Sequence, residues 1–252
     1  MNVIYLMGIY DHFPSYFLYT IPSVLSYAKS INAQVIFKHL PEQKLLKKNQ
    51  EKLKHLDIKY ETLRYRDYWE TFVVKKMLQR CWYKFSIMED FVESKYEKAL
   101  VIDLDILINQ KAENIFNKVQ DNFLISECDK HLIRCYTGPL LKIAKERQDS
   151  SMIQKLNNQG LLFNGGLWAC DKKFMKKFIE YIIPPDRSIN HFADQGLMTY
   201  KLLESNLNFE ILPPQTHANP LLVDYLPQFA HFTCARHKSE ILKFLNNHSE
   251  LY

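Results

Sequence analysis

Glycine is scarce, six residues in 252. The first strand-like run, Asn2 to Met7, is followed by Gly8 alone, so the glycine-rich phosphate loop a nucleotidylyltransferase would want after that strand is missing. Cysteine is scattered: Cys81, Cys128, Cys135, Cys170 and Cys234 contain no Cys-x-x-Cys pair and are odd in number. That argues against a zinc site and a disulfide framework and points to a reducing compartment. No apolar run approaches the ~20 residues of a membrane span. The opening MNVIYLMGIYDHF has no basic region ahead of its short apolar run and no small-residue cleavage site, so it reads as a strand and a cytoplasmic location is expected. A strong excess of charge of either sign is also lacking. A net +5 allows attraction to phosphates or an anionic surface, but it does not by itself indicate nucleic-acid binding.

What is present centres on Lys98 to Asn109, KALVIDLDILIN. A Val/Ile/Leu run of this length suits a buried strand of an α/β sheet. It ends in Asp103 and Asp105, and residues two apart on a strand point to one side. Two unneutralised acids at the end of a buried strand are costly unless something positive sits between them. A divalent cation bound to a phosphorylated ligand would satisfy both, since carboxylate and phosphate oxygens suit Mg²⁺ or Mn²⁺. A strand end running into a solvated turn would look the same at this level.

Along the chain, Tyr10 and Asp11 follow the first strand, where α/β folds commonly place a nucleotide; they could contact a base or ribose, or simply form a turn. Tyr16 to Ser30 has helical spacing, and Ala33 to Phe37 and Ile58 to Leu63 read as strands. Pro41 to His55 is lysine-rich and reads as an amphipathic surface helix, its charge a solvated face. Trp69 to Val92 is expected to be a long helix carrying Lys84, which could reach phosphates. Asn122 to Ser126 is a further strand. His131 to Gln159 is polar, contains Gly138 and Pro139, and reads as irregular, a lid or acceptor loop.

In Leu161 to Asp171, LLFNGGLWACD, Gly165 and Gly166 interrupt a strand pattern. Glycine there marks a bulge or a close approach of backbone or ligand, and Asn164 beside them can donate and accept. Lys172 to Ile183 reads as a helix ended by two prolines. Asp194 and Gln195 open another helix; the acid serves as a cap or faces sugar hydroxyls. Phe209 to Leu212 reads as a late strand. His231, in FAHFTCARHK, is either a core histidine or a third ligand beside the two carboxylates.

Asp-x-Asp ending a buried strand, then Asn-Gly-Gly, then Asp-Gln opening a helix, then a late His-Phe followed by Lys, in that order, resembles the family 8 glycosyltransferases. These include glycogenin-like enzymes and bacterial lipopolysaccharide galactosyl- and glucosyltransferases. The resemblance spans roughly residues 2 to 240. It implies a GT-A fold: an α/β architecture with a Rossmann-like mixed sheet flanked by helices and a nucleotide-sugar site at the C-terminal ends of the strands. The length suits one domain over 1–252, with 129–160, only loosely like the family, as an acceptor or lid insertion and 239–252 as a C-terminal helix or tail. The implied activity is Mn²⁺-dependent (or Mg²⁺-dependent) transfer of a hexose, with retention, from a UDP-sugar to a glycan or glycolipid in cell-surface polysaccharide or lipopolysaccharide synthesis.

Carried over by position, Asp103, Asp105 and His231 look like the metal ligands, Asp103 also contacting the donor. Asn164, Gly165 and Gly166 would line the sugar pocket, with Asp194 on sugar hydroxyls and Gln195 near the anomeric carbon. His237 or Lys238 would meet the diphosphate, Asp11 and Tyr10 the base, and Lys84 the donor. Cys234 stands where the family usually has glycine and the following Lys falls one residue late, so the diphosphate loop is expected to differ. Two other readings share some of these features. A haloacid-dehalogenase-like phosphatase also uses a strand ending in Asp-x-Asp, but near the N-terminus and with Thr or Val where Leu107 stands. A non-catalytic nucleotide-sugar-binding module would keep the fold alone. The lysines from Lys44 to Lys54 could hold the protein loosely at a membrane surface.

Overall fold

The computed structural model describes residues 1–8, 17–39, 56–62, 84–127, 130–159, 163–183, 189, 193–232 and 238–252. Seven strands form the main sheet. In chain order they are β1 (Asn2–Gly8), β2 (Ala33–His39), β3 (Lys59–Thr62), β4 (Lys98–Ile102), β6 (Phe123–Glu127), β7 (Phe163–Asp171) and β8 (Phe209–Leu212). They lie side by side as β3-β2-β1-β4-β7-β6-β8. β3, β2, β1 and β4 run parallel, β7 is antiparallel to both β4 and β6, and β8 is parallel to β6. This is the mixed sheet flanked by helices that the family resemblance implies.

Period-two alternation sorts the strand residues between two cores. Ile4, Leu6, Val35, Phe37, Leu100 and Ile102 face α1 (Phe17–Ser30) on one side. Val3, Tyr5, Ile36, Ala99, Val101, Ile125 and Trp168 face the other side. There they meet α2 (Lys84–Glu93), α3 (Lys130–Glu146), α4 (Ser150–Gln159), α5 (Lys172–Ile182) and α6 (Ala193–Ser205).

The strand expected to end at the Asp pair does end there. β4 stops at Ile102, residues 103–105 turn, and β5 (Ile106–Ile108) joins a second sheet, ordered β5-β10-β9, with β9 (His217–Ala218) and β10 (Phe229–His231). The apolar residues after Asp105 are buried by this second pairing. The segment His131 to Gln159 is also not irregular: it forms most of α3 and all of α4, with Gly138 and Pro139 inside α3. Leu140, Ile143, Ala144, Met152 and Leu156 anchor these two helices in the core, a helical spacing that the Gly-Pro pair disguised. The helix expected at Pro41 to His55 and the first part of the one expected at Trp69 to Val92 lie outside the described residues. The chain closes with α7 (Lys238–His248). No helix of the described residues is long and apolar enough to cross a membrane.

Candidate functional site

The turn 103–105 sits at the C-terminal edge of β4, and its backbone is held from three directions. Asp103 N–H donates to Gly166 O at 2.8 Å on β7, and Phe232 N–H, just after β10, donates to Asp105 O at 3.0 Å. From α1, Thr20 Oγ1 donates to Leu104 O at 2.7 Å, and Ser23 Oγ accepts from Ile108 N–H at 3.0 Å. A short turn tied to two sheets and a helix leaves its side chains little freedom, the condition for a preorganised site.

Ligand atoms of Asp103, Asp105 and His231 come within 4.8 Å of one another. Asp105 and His231 are buried, while Asp103 is partly open to solvent. His231 Nε2 lies 3.2 Å from Asp105 Oδ1, a buried oxygen that no hydrogen-bond donor satisfies. Its second ring nitrogen, Nδ1, lies 3.1 Å from Nε2 of His217. Burial alone would lower the His231 pKa, but the charges of Asp105 and Asp103 outweigh it and the net shift is upward. Burial, and then His231, push His217 well below the usual imidazole range.

Lys84, at the start of α2 and almost fully buried, joins the cluster. Its Nζ lies 2.7 Å from Asp103 Oδ1 and donates to Gly165 O at 3.2 Å. The Asn-Gly-Gly stretch forms the adjoining wall. The β6–β7 register shifts between Ile125 and Ser126, so Ile125 faces Trp168 while Ser126 already faces Asn164. That bulge releases Gly165 and Gly166 from β6 and turns them toward the site. Asn164 Oδ1 accepts from Gly166 N–H at 2.8 Å. A Cβ on Gly166 would lie 2.4 Å from His231 Cε1, 2.9 Å from Asn164 Oδ1 and 3.0 Å from Asp103 Oδ2. The register shift is a bulge, one of the readings open for the glycine pair, and the groups that crowd Gly166 are side chains.

Gln195 lies in the first turn of α6. That helix is tied to the start of β7 through Phe163 N–H, which donates to Thr199 Oγ1 at 3.2 Å, one helical turn beyond Gln195. Asp194 is in the same first turn, its side chain outside the described set. Lys238 begins α7, again with no side chain described, and Tyr10, Asp11 and His237 lie outside the described residues. His217 was not singled out by its sequence. It sits in a Pro-rich stretch, PPQTHANP, and nothing local separates it from a turn histidine.

No family model matches the chain, and no curated protein matches it by sequence. Among solved structures, the galactosyltransferase LgtC, in complex with donor and acceptor sugar analogues, superposes with a TM-score of 0.61 at 11% identity, over 98% of this chain and 96% of its own. Mouse xyloside xylosyltransferase 1 superposes with a TM-score of 0.54 at 13% identity, over 92% of this chain and 97% of its own. The chain therefore has the GT-A fold.

Proposed function

We propose that the protein is a metal-dependent glycosyltransferase that moves a hexose from a nucleotide sugar, a UDP-hexose, to a glycan or glycolipid acceptor. The observation that carries this is the convergence of Asp103, Asp105 and His231 at the C-terminal edge of β4, the sheet edge at which α/β folds bind nucleotides. The chemistry of the set fits a divalent cation: two carboxylates, an imidazole and a buried carboxylate oxygen, Asp105 Oδ1, with no hydrogen-bond partner suit Mn²⁺ or Mg²⁺. Such a cation, held by Asp103, Asp105 and His231, would act as a Lewis acid toward the charge that develops on the departing diphosphate.

The chain's own groups supply the rest. Lys84 braces Asp103 and offers a second positive charge beside the diphosphate, as does His237 or Lys238 from the C-terminal side. Asn164, Gly165 and Gly166 form a wall against the sugar, where the missing Cβ of Gly166 leaves room for Asp103 and His231 to converge. Asp194 would bind sugar hydroxyls and Gln195 would face the anomeric carbon. Gln195 is a poor nucleophile, so retention would draw on its positioning of the reacting face. Tyr10 and Asp11 would meet the base. A role in cell-surface polysaccharide or lipopolysaccharide synthesis, at the cytoplasmic face of a membrane, follows from the acceptor class.

A thermal-shift panel of nucleoside diphosphates and sugar nucleotides, with and without Mn²⁺, tests the reading. A ligand at ~100 times its Kd stabilises by about 2.7 kcal/mol, a readable rise in Tm. UDP or a UDP-sugar is expected to shift Tm only with Mn²⁺. A response to GDP- or CMP-sugars instead would move the donor class, and silence across the panel would overturn the proposal.

A further inference from the structure

The second sheet sets one histidine against another. β9 and β10 pair in parallel with His217 opposite Phe229, and side chains two apart on a strand share a face. His231 is thus the diagonal neighbour of His217. Their ring centroids lie 5.1 Å apart with the planes inclined at 48°, and His217 Nε2 is 3.1 Å from His231 Nδ1. Both rings are buried, 6% and 4% exposed, so water competes little for this contact. The other nitrogen of His231, Nε2, faces Asp105.

We propose that His217 is a positioning residue for His231: its Nε2 accepts the Nδ1–H proton of His231, which fixes the tautomer and ring angle that aim His231 Nε2 at the Asp103–Asp105 pair. This rests on the metal-binding reading given above. An imidazole that ligates through Nε2 carries its proton on Nδ1, and the partner of that N–H sets the ring's orientation and basicity. In most such arrangements the partner is a carboxylate or a backbone carbonyl. Here it is a neutral imidazole, whose remaining proton belongs on Nδ1. His217 Nδ1 is buried with no hydrogen-bond partner. A buried N–H without a partner is costly, and it is retained beside the site, where the acceptor at Nε2 gives it a use.

Two substitutions of similar polarity separate positioning from mere filling of space. In His217→Gln the amide oxygen falls near the place of Nε2 and can accept from His231; in His217→Asn the side chain is too short to reach it. The probe is Mn²⁺ alone, titrated into the full chain and followed by the paramagnetic resonance signal of the free aquo ion, with Tm recorded in the absence of metal. His217→Asn is expected to weaken Mn²⁺ binding by about 10- to 100-fold, while His217→Gln stays within about threefold of the unsubstituted protein. Equal binding by all three proteins would overturn the inference, as would equal weakening in both variants. Failure of the unsubstituted protein to take up Mn²⁺ would instead overturn the metal-binding reading. With uptake intact and abolished by His231→Ala, a flat His217 series sinks the positioning role alone.

Discussion

At the scale of single residues, the site depends on how closely unlike groups are packed. Asp105 and His231 are buried against each other, with Lys84 paired to Asp103 alongside. Asp105→Ala and His231→Ala should each lower Mn²⁺-dependent transfer at least ~100-fold, in the range that loss of a transition-state contact costs, while circular dichroism stays native. Activity like that of the unsubstituted protein in either variant would refute the ligand assignment. Gly166 makes a separate prediction, because its missing Cβ is the space into which His231, Asn164 and Asp103 converge. Gly166→Ala is expected to cost about 1–3 kcal/mol through overpacking and to weaken Mn²⁺ binding together with stability. A drop in Tm with unchanged Mn²⁺ affinity would separate Gly166 from the site.

At the scale of elements, the β2–β3 edge of the main sheet is held by charge at a point where the core thins out. Lys38 on β2 is 4% exposed and lies 2.6 Å from both Glu61 on β3 and Asp90 on α2. Burial would raise the Glu61 pKa, but hydrogen bonds and charge from Lys38 and Lys59 outweigh it and hold the carboxyl below its usual value. A depressed carboxyl contributes stability in full above the unfolded pKa of about 4.3 and loses it as pH falls through the folded value. The stability difference between the unsubstituted protein and Glu61→Gln should therefore be largest at neutral pH and close as pH drops below about 4.3. Urea denaturation at stepped pH reads this directly, and a pH-independent difference would show that the pair does not govern the edge. On the opposite flank, α3 and α4 are held by apolar anchors such as Leu140 and Leu156, and neither Gly138 nor Pro139 breaks α3.

At the scale of the whole molecule, the two cores meet at the sheet and the candidate site lies where the second sheet begins, so site and fold share the β4–β5 turn. The net charge of +5 is carried in part by the lysines at 44, 47, 48, 52 and 54, which lie outside the described residues. If that segment attaches the protein to a membrane, replacing those lysines with glutamine should abolish co-sedimentation with vesicles rich in anionic lipid. Each surface lysine near such a membrane is worth about 1 kcal/mol, so the loss should be large. Unchanged co-sedimentation would remove the membrane from the proposal.

Much of this was local enough to be read in one dimension. Strand runs such as Asn2 to Met7 and Ala33 to Phe37 announce themselves by apolar content, and the helix after Asp171 by its periodicity. Asp103, Asp105 and the Gly165–Gly166 pair stand out because acids and glycines are out of place in apolar strands. The sequence by itself therefore determined the α/β class, most element positions and the residues worth watching. Tertiary structure decided three things that depend on contacts distant along the chain. It placed the apolar residues after Asp105 in a second sheet, because β5 finds its partner in β10 more than a hundred residues later. It gave the glycine pair its reason, since the side chains that crowd Gly166 include those of Asp103 and His231. And it brought His217 to His231, a pairing set by the β9–β10 register, for which side-chain spacing along the chain carries no signal.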